Sequence, residues 1–285
     1  MKIALTGGTG FIGSHYLNRA LADGHLVRAF RRSPESKCRI PITQQPDWFD
    51  RQINQVARED LNGCDVLVHL ATHTGNVPYD SLANCFYWNV SAAISLFEEA
   101  RLAGIKRYIV AGSCFEYGAS GARYDQIPTD APLEPTNSYS ASKSAASIAL
   151  MQWAKEYKLN LEIIRVFHVY GDGELSTRLW PSLKSAALSG RDFAMTKGEQ
   201  VRDFIDVRQC ASIFLRRTTL QLQDDRHQLI FNMSSGRPQS ILDFSRTWWN
   251  QWNAKGELLV GQLPYRDGEV MQYIPGPNIL SPVDD

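Results

Sequence analysis

The stretch "TGGTGFIG", residues 6–13, decides how the rest of the chain is read. It follows an apolar run, "KIAL", and precedes a helical pattern with apolar residues at Phe11, Ile12, Leu17 and Leu21 that stops at Gly24. Gly7, Gly10 and Gly13 recur every third position between that strand and that helix. Gly7 permits a tight turn, Gly10 lets a pyrophosphate approach the backbone, and Gly13 lets the helix pack on the strand. The helix N-terminus then offers free N–H groups and a partial positive charge to phosphates. The expected dinucleotide contacts in this loop are Gly7, Thr9, Gly10, Phe11, Ile12 and Gly13.

Working outward, buried-strand and helix patterns alternate. "LVRAF" (26–30), "DVLVHLAT" (65–72), "RYIVAG" (107–112) and "NLEIIRVFHVYG" (160–171) read as strands, and 84–104 and 138–158 as long helices. Strands alternating with helices predict an α/β fold: a Rossmann-type, doubly wound parallel sheet with a smaller C-terminal α/β substrate-binding subdomain. The expected division is residues 1–170 for the cofactor domain and 171–285 for the subdomain, with some chain crossing back. Residues 33–64 carry Pro34, Pro41 and Pro46 and predict an irregular crossover with a short third strand around Ile40–Thr43. "TWWNQW" (247–252) reads as a packed helix.

The totals narrow the function. Thirty basic residues balance thirty acidic ones in a chain of 285, so no global field draws in nucleic acid or an anionic membrane. The five cysteines form no CxxC and are odd in number, which argues against a disulfide framework and a zinc site and for reduced thiols. No metal is expected. The first residues enter a strand without a leader, and no apolar run is long enough to span a bilayer. The expected location is the cytoplasm.

The end of the second strand selects the cofactor. An acidic residue there holds the ribose 2′-OH of NAD. Here the strand ends "AFRRSP", with Arg31 at that position and Arg32 after it. Two guanidinium groups suit a 2′-phosphate, so NADP(H) is expected and NAD(H) is the second choice; a solvated basic turn is the plain alternative. Leu70, Ala71 and Thr72, after the third apolar strand, together with Tyr139 and Lys143 further on, complete the expected cofactor contacts.

"YSASK" places Tyr139 and Lys143 on one helix face. A phenol is a poor base near neutrality, and a nearby ammonium makes its phenolate easier to form. The tyrosine then exchanges a proton with a carbinol oxygen while hydride moves at the carbon, and a serine hydroxyl on the same oxygen orients it. Ser113 stands at a strand end on the side of the sheet that carries the glycine loop.

With these residues in place, the chain resembles the extended short-chain dehydrogenase/reductases, in the branch that modifies nucleotide sugars. "TGGTGFIG", "VLVHLAT", "NVSAAISLFEEAR", "GSCFEYG", "YSASK", "IIRVFHVYG", "GEQVRDFIDV" and "YRDGE" carry the resemblance over most of the chain. It implies catalytic Ser113, Tyr139 and Lys143, with Arg202 and Arg266 on the substrate diphosphate. Arg202 has a plainer alternative in an ion pair with Asp203 or Glu199. The other expected substrate contacts are Thr74, Cys114, Phe115, Glu116 and His168, and the two long helices resemble those that pair homodimers in this family.

The chain also departs from the family pattern. Sugar dehydratases of this kind carry Asp-Glu directly after the catalytic Thr, where this chain has Cys114 and Phe115. Epimerase-reductases of the GDP-fucose synthase type use a Cys two residues after the Ser, and Cys114 is one residue out, so its bland reading is a buried apolar residue. His168 replaces an Asn that helps bind the diphosphate or sugar. Glu116 replaces an apolar residue and either meets a sugar hydroxyl or pairs with an Arg. No Asp for the adenine is evident in the third strand.

Three functions fit these residues. The first is an NADPH-dependent 4-ketoreductase acting on a nucleotide-linked 4-keto-6-deoxyhexose. The second is a nucleotide-sugar 4-epimerase with bound NAD, and the third a non-enzymatic NADP sensor.

Overall fold

The structure is a computed structural model that describes residues 1–221, 228–276 and 279–282. The first half of the chain runs β1 (Lys2–Thr6), α1 (Phe11–Ala22), β2 (Leu26–Arg31), β3 (Asp47–Asp50), α2 (Arg58–Leu61), β4 (Val66–His69), α3 (Leu82–Phe86), α4 (Ala92–Leu102), β5 (Arg107–Ser113) and α5 (Ser138–Tyr157). It continues with β6 (Asn160–Val166), β7 (His168–Tyr170), α6 (Leu179–Leu188), β8 (Phe193–Met195), β9 (Val201–Asp206), α7 (Val207–Thr219), β10 (Gln228–Met233), β11 (Pro238–Ser240), α8 (Ile241–Gln251), β12 (Leu258–Val260) and β13 (Gln272–Tyr273).

Among the described residues, seven strands form one sheet in the order β10-β6-β5-β4-β1-β2-β3. Every pairing in it is parallel. Alternate residues of β1 face opposite layers, as a strand's two-residue period requires. Ile3 and Leu5 join Tyr16 and Leu17 of α1 and Phe214 of α7 on one face. Ala4 joins Leu96 and Phe97 of α4 and Trp153 of α5 on the other. Strands β4 and β6 are buried along their whole length, which is why they read as near-continuous apolar runs. The chain leaves β1 toward β2 on one side and places β4 on the other, so the crevice at the carboxyl ends of β1 and β4 is the sheet's switch point.

Two expectations are corrected. The third strand is Asp47–Asp50, not Ile40–Thr43. Pro41 has no N–H to give a ladder, so that stretch stays irregular, and Ile42 packs against the first core layer instead. Strand β3 pairs with β2 through Trp48 and Phe49, and Phe49 meets the Phe30 ring at 5.7 Å. The stretch 160–171 also divides. After Val166 the chain leaves the large sheet, and β7 pairs with β9 in a smaller sheet that includes β11 and β13.

The subdomain adds the β8–β12 pair and packs α6 on α8 through Leu183, Ala186, Ala187 and Trp249. "TWWNQW" lies in and just after α8, with Trp248 and Trp252 against that cluster. Helix α7 and strand β10 return to the large layer. Helix α7 packs beside α1, where the Tyr16 hydroxyl donates to Thr218 Oγ1 at 3.1 Å, and β10 forms the sheet's edge. Exposed Leu102, Ile148 and Tyr157 lie on or at the end of α4 and α5, the helices behind the homodimer expectation. None of the described helices is long and apolar enough to cross a membrane.

Gly13 is the tightest point of the α1–β1 junction. A Cβ there would lie 1.9 Å from the Gly7 carbonyl oxygen and 2.7 Å from its carbon, both backbone atoms that cannot swing away. Gly13→Ala is therefore expected to lower stability by about 1–3 kcal/mol or more, read as a lower urea midpoint. An unchanged midpoint would contradict this packing.

Candidate active site

The glycine loop forms a cradle at the switch point. Gly7 has φ +77°, and a Cβ on it would lie 2.5 Å from the Ala71 nitrogen and the Leu70 carbonyl carbon. The loop is thus pressed against the chain leaving β4, whose Leu70 N–H donates to the Thr6 carbonyl at 3.1 Å. Helix α1 starts after Gly10, with no side-chain cap and no acidic residue in its first turn. Its N–H groups and dipole remain available to an anion, which fits the pyrophosphate of a dinucleotide. Thr9, Phe11 and Ile12 are half-buried along this turn.

At the far end of the cradle, Arg31 is already engaged. Its Nε donates to Asp50 Oδ1 at 2.6 Å, and its guanidinium lies 4.8 Å from the Trp48 ring centroid. Asp50 ends β3, the strand expected at 40–43. Arg32 is exposed. Arg31's charge is matched by a carboxylate, so it is not a free guanidinium for a 2′-phosphate. A cavity of about 420 Å³ beside this pair is lined by Arg31, Lys37, Cys38, Arg39, Gln45 and Trp48, among others.

The structure brings Ser113, Tyr139 and Thr72 together. Ser113 ends β5, and α5 begins where Asn137 Oδ1 accepts the Ser140 N–H at 2.9 Å. That cap sets Tyr139 in the first turn, with Lys143 one turn later. Burial pushes the Tyr139 phenol up to about 12, while its hydrogen bonds with the Ser113 and Thr72 side chains pull it down. The Tyr79 ring stacks on the Tyr139 ring at 5.8 Å and 9°. The Lys143 Nζ donates to the Ala111 carbonyl at 2.7 Å. Burial lowers the Lys143 pKa, and the charge of Glu116 opposes that shift.

Asn89 was not singled out from the sequence. Its Oδ1 accepts the His73 N–H at 2.7 Å and its Nδ2 donates to Ser142 Oγ at 2.9 Å, tying the loop after β4 to α5. A wide turn at Tyr87–Ser91, between α3 and α4, carries it. Its signal was a polar, poorly helix-forming residue inside an otherwise apolar helical pattern. Thr74 follows this loop at φ +49°, with its hydroxyl 3.3 Å from Cys85 Sγ.

The substrate-side expectations divide. Cys114 is buried with Tyr117, Ile127, Phe167 and Tyr273, and burial pushes its thiol up to about 12, so packing is its structural part. Phe115 is half-buried, and its N–H donates to Ser113 Oγ at 3.2 Å. Glu116 faces away from the cleft and is corrected: it is 0% exposed. Its carboxylate pairs with Arg165 Nε at 2.9 Å, so the Arg alternative holds and contact with a sugar hydroxyl does not.

His168 on β7 has an Nδ1 without a partner. Burial first, then the charges of Arg202 and Arg178, hold its pKa down at about 3, leaving a neutral imidazole. Arg202 pairs with neither Asp203 nor Glu199. Its Nη2 donates to Glu269 Oε1 at 3.1 Å and to the Val270 carbonyl at 2.7 Å. Arg266 is exposed on the turn that leads to Glu269. Arg178 and Glu174 were also missed: Arg178 acts electrostatically on His168, its Nε is 3.6 Å from Glu174 Oε1, and among the described residues Glu174 Oε2 is buried without a hydrogen-bond partner.

The chain belongs to the NAD-dependent epimerase/dehydratase family, whose model matches residues 3–233. It is therefore an enzyme of an NAD-dependent class. It is 26% identical over 262 residues to a UDP-glucose 4-epimerase of Corynebacterium glutamicum, covering 85% of this chain and 77% of that protein. It is 28% identical over 253 residues to a dTDP-6-deoxy-L-talose 4-dehydrogenase (NAD(+)) of Aggregatibacter actinomycetemcomitans, covering 85% and 87%. The fold matches that of a UDP-N-acetylglucosamine 4-epimerase from Methanobrevibacter ruminantium M1, with a TM-score of 0.84, 22% identity, and coverage of 96% and 89%.

Glu174 sets a pH dependence. Burial pushes its carboxyl up to about 7 against the opposing pull of Arg178. A raised carboxyl binds a proton more readily folded than unfolded, so stability falls as pH rises from the ordinary carboxylate range through about 7. Glu174→Gln is expected to be more stable than the parent at pH above that value, by on the order of 2–4 kcal/mol. The gain should vanish in acid, where both side chains are neutral. Urea titrations across pH check this, and an equal gain at every pH would contradict it.

Proposed function

We propose that the chain carries out reversible oxidation at C4 of a nucleotide-linked hexose with NAD, and acts as a 4-epimerase. The observation that carries this is the Tyr139 phenol in the first turn of α5, one turn from Lys143, with the Ser113 and Thr72 side chains pulling its pKa down against burial. NAD, when bound, supplies the acceptor and donor of the hydride at C4. Gly7, Gly10 and the N-terminus of α1 would hold its pyrophosphate, and the chain after β4 closes one side of that cradle. Tyr139 takes the proton from the sugar's C4 hydroxyl and gives it back to the 4-keto oxygen. Ser113 orients that oxygen by donating a hydrogen bond to it. Lys143 holds an ammonium near the phenol and favours its ionised form.

Several features favour NAD over NADP and an epimerase over its rivals. The Arg31–Asp50 pair engages the guanidinium at the end of β2 that a 2′-phosphate would need. Dehydration across C5 and C6 needs a carboxylate pair after Ser113. Cys114 and Phe115 occupy those positions, and the carboxylate that follows, Glu116, is consumed by Arg165. The names of the relatives support the epimerase. A net 4-dehydrogenase or 4-ketoreductase is the second reading, supported by the NAD-dependent 4-dehydrogenase relative, which this chain matches over the larger share of its length. The intact Ser113, Tyr139 and Lys143 speak against a non-enzymatic sensor.

The test is to release and identify any nicotinamide carried by the purified protein, then follow nucleotide hexoses by NMR. The epimerase predicts bound NAD and inversion at C4 with no cofactor added. Stoichiometric oxidation of NADH by a nucleotide-linked 4-keto-6-deoxyhexose without inversion would replace it with the second reading. Tyr139→Phe is expected to lower kcat by about 10²–10⁴-fold with the NAD content unchanged, and Ser113→Ala should slow turnover in the same way. Full activity in Tyr139→Phe would contradict the mechanism.

A further inference from the structure

Directly behind Ser113 lies a charge that the proposed reaction does not use. Glu116 is fully buried, and three donors converge on its carboxylate. The Ser113 N–H donates to Oε1 at 2.8 Å, and Ser147 Oγ and Arg165 Nε donate to Oε2 at 2.8 and 2.9 Å. Arg165 is held further: its Nη1 donates to the Tyr117 hydroxyl at 3.0 Å and to the Thr129 carbonyl at 2.9 Å. The Tyr117 hydroxyl passes the chain on to Asn232 Oδ1 in β10 at 2.7 Å.

The neighbouring backbone is shaped for this carboxylate. Gly112 stands opposite Arg165 across the β5–β6 pairing. A Cβ on Gly112 would lie 2.9 Å from Glu116 Oε1 and 3.1 Å from Arg165 Cγ. Helix α5 presents Ser144 and Ser147 to the same point, and Ser144 Oγ donates to the Glu116 carbonyl at 3.2 Å. A buried ion pair is a poor source of net stability compared with well-packed apolar residues. What this one provides is a fixed geometry at the end of β5.

We propose that Glu116 is a positioning residue: held by Arg165 and Ser147, it fixes the main chain of Ser113 and thereby the placement of the Ser113 hydroxyl against Tyr139. The proposal rests on the C4 redox reading for its kinetic consequence, but not for its structural one. Glu116 touches neither sugar nor cofactor. Its charge is faced by Arg165 from β6, by Lys143 and Tyr139 from α5, and by Tyr117 and Cys114 from its own turn. Neutralising it removes a charge that opposes the Tyr139 phenolate, so the Tyr139 titration should move to lower pH.

Glu116→Gln keeps the shape and removes the charge. Its expected effects are a kcat lower by about tenfold or more with KM within about threefold, and an onset of Tyr139 titration at lower pH. The second readout uses tyrosine labelled with carbon-13 in the ring, assigned with Tyr139→Phe, in protein loaded with NAD and without sugar. Loss of kcat with the Tyr139 titration unmoved would mark a general structural role and overturn the proposal, as would an intact kcat. If the wild-type protein turns over none of the nucleotide sugars, the C4 reading fails and the Tyr139 titration alone decides this one. If Glu116→Gln does not fold, Ser147→Ala decides. Its expected effect is a kcat lower by roughly threefold with a displaced Tyr139 resonance, and an unchanged resonance overturns the proposal.

Discussion

The contact between Gly13 and the Gly7 carbonyl is the constraint on which the placement of the other site residues depends. It exists because neither residue has a side chain, and it sets how closely α1 approaches β1. The same turn is pressed from the other side by Leu70 and Ala71, so β1, α1 and the chain after β4 form one rigid corner. Every strand of the parallel sheet delivers its carboxyl end to this side. Thr6, Arg31, Asp50, His69 and Ser113 therefore terminate along one rim, and α5 then needs only its Asn137 cap to bring Tyr139 to Ser113.

The rim is wired together by buried polar contacts. At the β1–β4 junction Thr6 Oγ1 and His69 Nδ1 lie 2.7 Å apart, and burial holds His69 neutral. Asn89 joins the following loop to α5, and Glu116 joins β5 to β6 and α5. Each group is satisfied by partners from different elements, which gives a hydrogen-bonded network precise geometry at modest net stability. Elsewhere among the described residues, His168 Nδ1 and Glu174 Oε2 are buried without hydrogen-bond partners.

What was legible in the sequence was local. The glycine loop, the buried runs of β4 and β6, and the Tyr139–Lys143 spacing are patterns within a few residues, and the fold class follows from their alternation. What was not legible depends on contacts across long separations. Arg165 is 49 residues from Glu116, and Glu269 is 67 from Arg202, so no neighbourhood pattern announces either pair. Strand β3 was missed because an edge strand of four residues, flanked by Asp47 and Asp50, has no apolar run to show. That error also hid Asp50, and with it the partner that quiets Arg31. The expectation of NADP(H) had counted Arg31 as a free guanidinium, and an ion pair between adjacent strands engages it.

The central claim is that bond making and breaking at the sugar is confined to C4, with Tyr139 as the proton carrier. The most direct measurement uses a nucleotide hexose deuterated at C4, incubated with the enzyme in ordinary water and, separately, the unlabelled sugar in heavy water. The account predicts that the C4 label is kept, in the inverted sugar or on the nicotinamide, and that no solvent deuterium enters at C3 or C5. Solvent deuterium at C5 would contradict it, because it would require an acid/base group beside Ser113 that Cys114, Phe115 and the buried Glu116 do not supply.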